Sequence, residues 1–404
     1  MTPPSTWTIA RPTDRRPDRP DGGLSRPTCG AVPWPRSGGN RFLLAALRRT
    51  VGSSGSASCL PASPDWERTL AAANRLDVAP LLYAALKSDP HGAKPPAAVM
   101  ARLEEQYYRQ AVLNAQLHSE LARILTALSA DAIPVILLKG AALAEPVYDN
   151  IALRPMQDLD LLVRTSDLEA ADRVVRALGY LPDESYRPAA WYRDQHHHLA
   201  PYGASDGRTA VEIHRHILPP SAPLTVPIDA LWERARPVVV ASTPGLVFAP
   251  PDLLLHLCLD VSCVDRFAGK LRSLCDVAAV IKRWGPQIDW PALVAAARDY
   301  RAAPFVYYPL ALARRLVGAD VPAAVLRDIG SSIRRPSLAD VALRVLTRLA
   351  VTRPPREAAV VPGWILARSC GDLLRAEGGR EAIRALRPLD LLARAWRRGE
   401  GQAL

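Results

Sequence analysis

Asp158 and Asp160 stand two residues apart in the run Gln157–Val163, QDLDLLV. Read as a strand over Asp158–Val163, this segment puts alternate side chains on opposite faces. Asp158, Asp160 and Leu162 then point one way, and Leu159, Leu161 and Val163 point into the core. Two carboxylates beside a buried strand are costly unless a cation lies between them. A pair of divalent metal ions meets that need. The D-x-D pair begins 18 residues past Gly140. Upstream, the short apolar run Ile133–Leu138 reads as a buried strand. It leads through Lys139-Gly140 into a helical run, Ala141–Val147. A glycine between strand and helix lets the backbone approach a ligand closely. The free N–H groups and dipole at the helix start favour phosphate. Further on, Glu212 alternates with Val211 and Ile213, which offers a third carboxylate for the same site.

Five histidines, His196, His197, His198, His214 and His216, crowd the same region. On strands, His196 and His198 share a face, as do Glu212, His214 and His216. A separate zinc site, active-site lining by His198 and His214, and plain packing are the alternatives. Other phosphate and nucleophile motifs fail. Ala268-Gly269-Lys270-Leu271 lacks the earlier glycine and the following Ser or Thr of a P-loop. There is no G-x-G-x-x-G, and no G-x-S-x-G elbow.

The surrounding elements must position these groups. Leu117, Leu121, Ile124, Leu125 and Leu128 fall on one helix face, in a helix expected over Pro96–Leu128 that feeds the first strand. Ser166 and Glu169 spell a capping box for a helix ending near Leu178, and Gly179 suits its C-terminus. Gln195–Tyr202 and Arg208–Ile217 flank Ser205-Asp206-Gly207, a hairpin signal. From Pro219 onward the pattern reads as helical, with apolar faces near 251–263, 267–284, 290–300, 304–317, 338–351 and 379–397. Residues 1–40 hold eight prolines and five glycines with no apolar period, and are expected to be disordered. Helical texture starts at Arg41.

The chain has 404 residues, 49% apolar and 23% charged, enough for two or three domains of a globular protein. No apolar run is long enough to span a membrane, and no secretory h-region is visible at the start of the sequence. The net charge of +11 suits a polyanionic ligand, although the basic residues are almost all arginine in an Ala- and Pro-rich background. Cys29, Cys59, Cys258, Cys263, Cys275 and Cys370 form no C-x-x-C pair. Buried free thiols in a reducing cytoplasm are the expectation.

The order of these elements resembles the DNA polymerase beta-like nucleotidyltransferase superfamily. The wording LLKGAAL…YDNIALRPMQDLDLLV…LGY…HHHL…VEIHRHI is similar to its uncharacterised bacterial nucleotidyltransferase family, over about Arg41–Pro322. Pattern and resemblance together imply an α+β fold with a small mixed-sheet core at 113–218. Helical regions at 41–112 and 219–404 would flank it. The resemblance implies that Asp158, Asp160 and Glu212 bind two Mg²⁺, with Mn²⁺ as an alternative, and that Glu212 assists deprotonation of an acceptor. It implies that Gly140 holds the triphosphate turn. Ala141 replaces the usual Gly or Ser and removes a hydroxyl contact, for which Lys139 compensates as a point charge. Arg154 would contact phosphate or acceptor, or serve as an ion-pair arginine. His198 and His214 would line the nucleotide site. The implied reaction transfers an NMP from an NTP, ATP being the expected one, to a small molecule, peptide, protein or RNA end, and releases pyrophosphate. The rival readings are a non-catalytic nucleotide- or partner-binding protein on a degenerate version of this fold, and RNA binding through the basic run at 380–399. That run has few interleaved aromatics for stacking.

Overall fold

The computed structural model describes residues 38–53, 64–89, 94–204, 207, 209–333, 342–347 and 350–351. The basic run at 380–399 and residues 1–37 lie outside them. Residues 38–40, expected to lack order, open the helix Gly38–Val51.

Seven strands form one mixed sheet: β1 Ile136–Leu137, β2 Asp158–Leu162, β3 Leu181–Pro182, β4 Tyr202–Gly203, β5 Ala210–His214, β6 Arg236–Val240 and β7 Thr243–Val247. Their order is β3-β4-β5-β2-β1-β7-β6. β1 lies antiparallel to β2 and parallel to β7, and β2 lies parallel to β5. β1 is shorter than the expected Ile133–Leu138. Pro134 has no N–H to give a ladder, and Lys139 turns into the left-handed region at φ 41°. Backbone bonds still run past β1, from Leu246 N–H to the Val135 carbonyl and from Leu138 N–H to the Asp160 carbonyl.

The helix Ala97–Ala130 buries Leu117, Leu121, Ile124, Leu125 and Leu128, the face read from the sequence. It packs on β2 and β7, and the helix Leu168–Ala177 packs on β5. That second helix ends as expected. Gly179 has φ 90°, and its N–H bonds the Arg176 carbonyl. Its start differs. A 3₁₀ turn at Thr165–Asp167 leads in, no side-chain cap forms, and the Ser166 hydroxyl bonds Asp167 instead. The expected arm Gln195–Tyr202 is not one strand either. Residues Ala189–Gln195 are helical, His198 makes a single bridge to His214, and only Tyr202–Gly203 pairs with β5. Through the three imidazoles no continuous ladder forms, and isolated backbone bonds, such as Arg215 N–H to the His197 carbonyl, hold the segment to β5.

The helical reading from Pro219 onward needs one correction. β6 and β7 form a hairpin that extends the sheet beyond residue 218. Val238, Val239 and Val240 favour a strand. The two turn residues, Ala241 and Ser242, both have positive φ, at 50° and 58°, as a type I′ turn requires. After it the chain is helical as expected, in Pro250–Leu259, Leu271–Trp284, Trp290–Asp299, Ala303–Leu312 and Ala323–Gly330. Cys258 and Cys275 are buried free thiols.

The N-terminal helix Gly38–Val51 docks on Leu271–Trp284 and on the π-helical turn Ala313–Val317. Arg48 Nε donates to the Leu316 carbonyl at 3.0 Å, and Lys282 Nζ donates to the Thr50 carbonyl at 2.7 Å. No helix among the described residues is long and apolar enough to cross a membrane.

Candidate active site

The parallel register of β2 and β5 sets Asp158 opposite Ala210, Asp160 opposite Glu212 and Leu162 opposite His214. Directly paired residues share a sheet face, so Asp160 and Glu212 are neighbours and His214 is on their side. His214 Nε2 lies 3.0 Å from Asp160 Oδ1 and 3.2 Å from Glu212 Oε2. Both partners are acceptors, so Nε2–H donates. Burial pushes His214 down, but its bonds to Asp160 and Glu212 win and hold it above its ordinary value. Its Nδ1 is buried and unpartnered.

Lys139 approaches from the other side. Its Nζ lies 3.0 Å from Asp160 Oδ1 and 3.8 Å from Asp260 Oδ1. Burial works against the Lys139 charge, yet Asp160, Asp260 and Glu212 raise its pKa well above the lysine range. Asp160 is held well below the usual carboxylate range by Lys139 and His214, despite its burial. Asp158 has no such neutralising pair. Burial first, then repulsion from Asp160 and Glu212, raises it to about 6. The two acids of one motif are thus driven apart by their surroundings.

The turn after β1 is built differently from the expectation. The left-handed residue is Lys139, which stores local backbone strain at the site. Glycine at 140 makes room for the side chains of Arg154 and Met156. A Cβ there would meet Arg154 Nη1 at 2.4 Å and Met156 Cγ at 2.7 Å. Ala141 is fully buried. The helix that follows, Lys139–Leu143, is a turn and a half long.

Arg154 sits in a buried ion pair. Its Nη2 lies 3.1 Å from Asp276 Oδ2, and the Tyr148 hydroxyl donates to Asp276 Oδ1 at 2.8 Å. Asn114, buried on the long helix, fixes this loop. Its Nδ2 donates to the carbonyls of Ile151 and Arg154, and its Oδ1 accepts from Met156 N–H at 3.3 Å. Arg272 Nη1 donates to the Pro155 carbonyl at 2.7 Å. The loop that delivers Asp158 is therefore held from two helices.

A cleft of about 240 Å³ opens over β2. Asp77, Asp158, Asp160, Asp260, Asp265 and Asp276 line it, against Lys139, Arg154, Lys270 and Arg272. Burial, then Asp260, raises Asp265 to about 6, although Lys270 Nζ is 2.8 Å away. Sequence reasoning missed Asp77, Asp260, Asp265, Lys270, Arg272 and Asp276 as site residues. The available signal was charge inside apolar runs, as in HLCLDVSCV and LRSLCDVAAVI, where a carboxylate needs a partner.

Of the expected residues, Asp158, Asp160, Lys139 and Arg154 line the cleft. Glu212 and His214 stand behind Asp160. His198 is farther along, with Nε2 3.7 Å from Glu212 Oε2 and Nδ1 2.6 Å from the Leu199 carbonyl. Asp160, Glu212 and His214 offer ligand atoms within 4.8 Å of one another. That donor set fits one divalent ion, with His214 giving up its proton. Its imidazole makes it less selective for Mg²⁺ than an all-oxygen set would be.

The model of a family described as an uncharacterised nucleotidyltransferase matches residues 62–318. No curated protein matches the chain.

Proposed function

The chain belongs to this uncharacterised nucleotidyltransferase family, and from that premise we propose a metal-dependent transfer of an NMP from an NTP to an acceptor, with release of pyrophosphate. One observation carries the metal dependence. Six carboxylates face four cations in the cleft. A triphosphate cannot approach that excess of negative charge without further cations. Divalent ions, when bound, supply that neutralisation and stabilise the attacking and leaving oxygens. In this reading Asp160 and Glu212 hold one ion, with His214. Asp158, on the cleft wall two residues from Asp160, contributes to a second. From the resemblance in the order of the elements we also assign the core to the DNA polymerase beta-like superfamily.

The protein groups have separate tasks. Lys139 and Lys270 supply positive charge for the phosphates, and Lys139 also keeps Asp160 ionised. Arg154 orders the loop before β2 through Asp276. We assign Glu212 to the ion it shares with Asp160 and His214, and through that ion to deprotonation of the acceptor hydroxyl. At about 240 Å³ the cleft is below the roughly 300–1,000 Å³ of pockets that enclose a whole ligand. It suits the phosphate end of ATP, with ribose and base outside. Buried thiols at Cys258 and Cys275 suit a reducing cytoplasm.

The experiment follows pyrophosphate release from each of the four NTPs with Mg²⁺ or Mn²⁺, with and without candidate hydroxyl acceptors. Asp160→Asn is the control. The proposal expects release that needs metal and is lost in the control. Release that persists in Asp160→Asn would place the chemistry elsewhere. Metal-dependent NTP binding without release under any condition would favour the non-catalytic binding protein.

A further inference from the structure

A second cluster of metal-type donors lies outside the cleft, and the reaction proposed above makes no use of it. We propose that His196, His197 and His198 form a separate site for a transition-metal dication, Zn²⁺ above all. Each offers a ring nitrogen, and these atoms lie within 4.8 Å of one another. A tetrahedral Zn²⁺ with Zn–N of about 2.0–2.1 Å needs nitrogens roughly 3.3 Å apart. Side-chain rotations would have to close that gap. The three rings already touch, with centroids 4.1 to 5.0 Å apart.

Packing alone does not account for the arrangement. His197 and His198 are only 5% and 8% exposed. The Nδ1 atoms of His196 and His197 are buried with no hydrogen-bond partner. Buried polar atoms are normally satisfied, and those that are not call for a reason such as an ion. His198 Nδ1–H donates to the Leu199 carbonyl at 2.6 Å, which leaves the Nε2 lone pair, 3.7 Å from Glu212 Oε2, as its ligating position. A carbonyl on the other ring nitrogen is the usual way to orient a metal-ligating histidine. The backbone holds the trio in place. The His197 carbonyl accepts from Arg215 N–H, the His196 carbonyl accepts from Arg215 Nη2, and Leu199 N–H bonds the Ile213 carbonyl.

The donor chemistry selects the metal. Imidazole suits Zn²⁺, Co²⁺ and Ni²⁺, and Mg²⁺ prefers oxygen. His196 and His197 also line a second cavity, of about 360 Å³, with Thr165, Arg215 and His216. It shares no lining residue with the acidic cleft. A three-histidine site with an open side keeps a fourth position for water or a ligand. His198 Nε2 also lies 3.7 Å from Glu212 Oε2, so an ion there bears on the charge of that carboxylate.

The test uses the full chain without an affinity tag, stripped with chelator and titrated with Co²⁺ in millimolar Mg²⁺. Because the Asp160, Glu212 and His214 set also holds an imidazole, the titration is repeated in Asp160→Asn, which breaks that set and should still bind one Co²⁺. The expected result is one Co²⁺ per chain with the visible absorption of a tetrahedral ion, displaced mole for mole by Zn²⁺. His196→Asn and His197→Gln should each weaken binding by more than the roughly 10–100-fold that loss of an outer partner gives. His196 is only half-buried, so its variant should keep a native circular dichroism spectrum. Two results overturn the proposal. One is a wild-type chain that takes up no Co²⁺ in the presence of Mg²⁺. The other is an unchanged spectrum in both variants, which would put the ion on Asp160, Glu212 and His214.

Discussion

Asp160 is already satisfied by two cations, Lys139 and His214, whereas Asp158 two residues away is not, and this asymmetry gives the sharpest residue-scale expectations. Lys139→Met leaves a buried carboxylate without its partner. In EDTA at neutral pH it should destabilise the protein by about 3–5 kcal/mol, and Mg²⁺ should restore part of the loss in a thermal melt. Asp158 is raised to about 6 in the folded chain. A raised carboxylate contributes stability that is full below its unfolded pKa, roughly 3.9, and lost as pH rises through about 6. Metal-free Asp158→Asn should therefore gain on wild type across that window. The gain should reach on the order of 2–3 kcal/mol by pH 8, measured by melts from pH 4 to 8. No relative gain would mean that Asp158 is not crowded. Glu212→Gln keeps shape and loses charge. Turnover should fall by more than the roughly 100-fold upper range for losing an outer partner, with a smaller loss of NTP affinity. Equal kcat in the two proteins would remove Glu212 from the chemistry. Asp158, Asp160 and Glu212 were legible in the sequence because strand alternation fixes faces over a few positions. Asp260, Asp265 and Asp276 were not, because nothing local says which buried acids of a distant helix meet a given strand.

At the scale of elements, the long helix was legible from its apolar face, and β2 and β5 from their alternation. The β6–β7 hairpin was not. Its turn, Ala241-Ser242, has the positive φ angles of a type I′ turn without the Asn-Gly that announces one. Context supplies what the residues lack, since Glu145 Oε2 accepts from Ala241 N–H at 2.9 Å. Ser242→Gly should remove left-handed strain and raise stability by about 0.5–1 kcal/mol, read as a shift in the denaturant midpoint. An unchanged or lowered midpoint would show that the turn is not strained. The capping box failed for a related reason. The motif S-x-x-E was present, but the chain enters the helix through a 3₁₀ turn that takes Ser166 out of the capping position. Gly140 is a position of close approach, and Arg154 and Met156 occupy the space where a Cβ would stand. A one-letter pattern marks a close approach without saying what approaches.

At the scale of the molecule, the sheet core depends on helices from both sides. The Gly38–Val51 helix rests on C-terminal elements, and the 240 Å³ cleft draws Asp77 from the N-terminal part and Asp260 to Asp276 from the C-terminal part. No single segment carries the site. The interior also holds histidines that must stay neutral. Burial pushes His256 down to about 3, and both of its ring nitrogens lack partners. The unfolded chain binds that proton from about pH 6.5 downward, so His256 contributes stability above that pH which is lost as pH falls through 6.5 towards 3. His256→Leu should show a shallower loss of thermal midpoint between pH 7 and 5 than wild type, and identical slopes would contradict this. Calorimetric titration of ATP into the full chain reads whether the nucleotide site works only with divalent metal. The titration is run in Mg²⁺, in Mn²⁺ and in EDTA, with the Asp158→Asn, Asp160→Asn double variant alongside. ATP should bind with either metal, and should not bind in EDTA or to the variant. ATP that binds as well in EDTA as in Mg²⁺ would contradict a metal-dependent site.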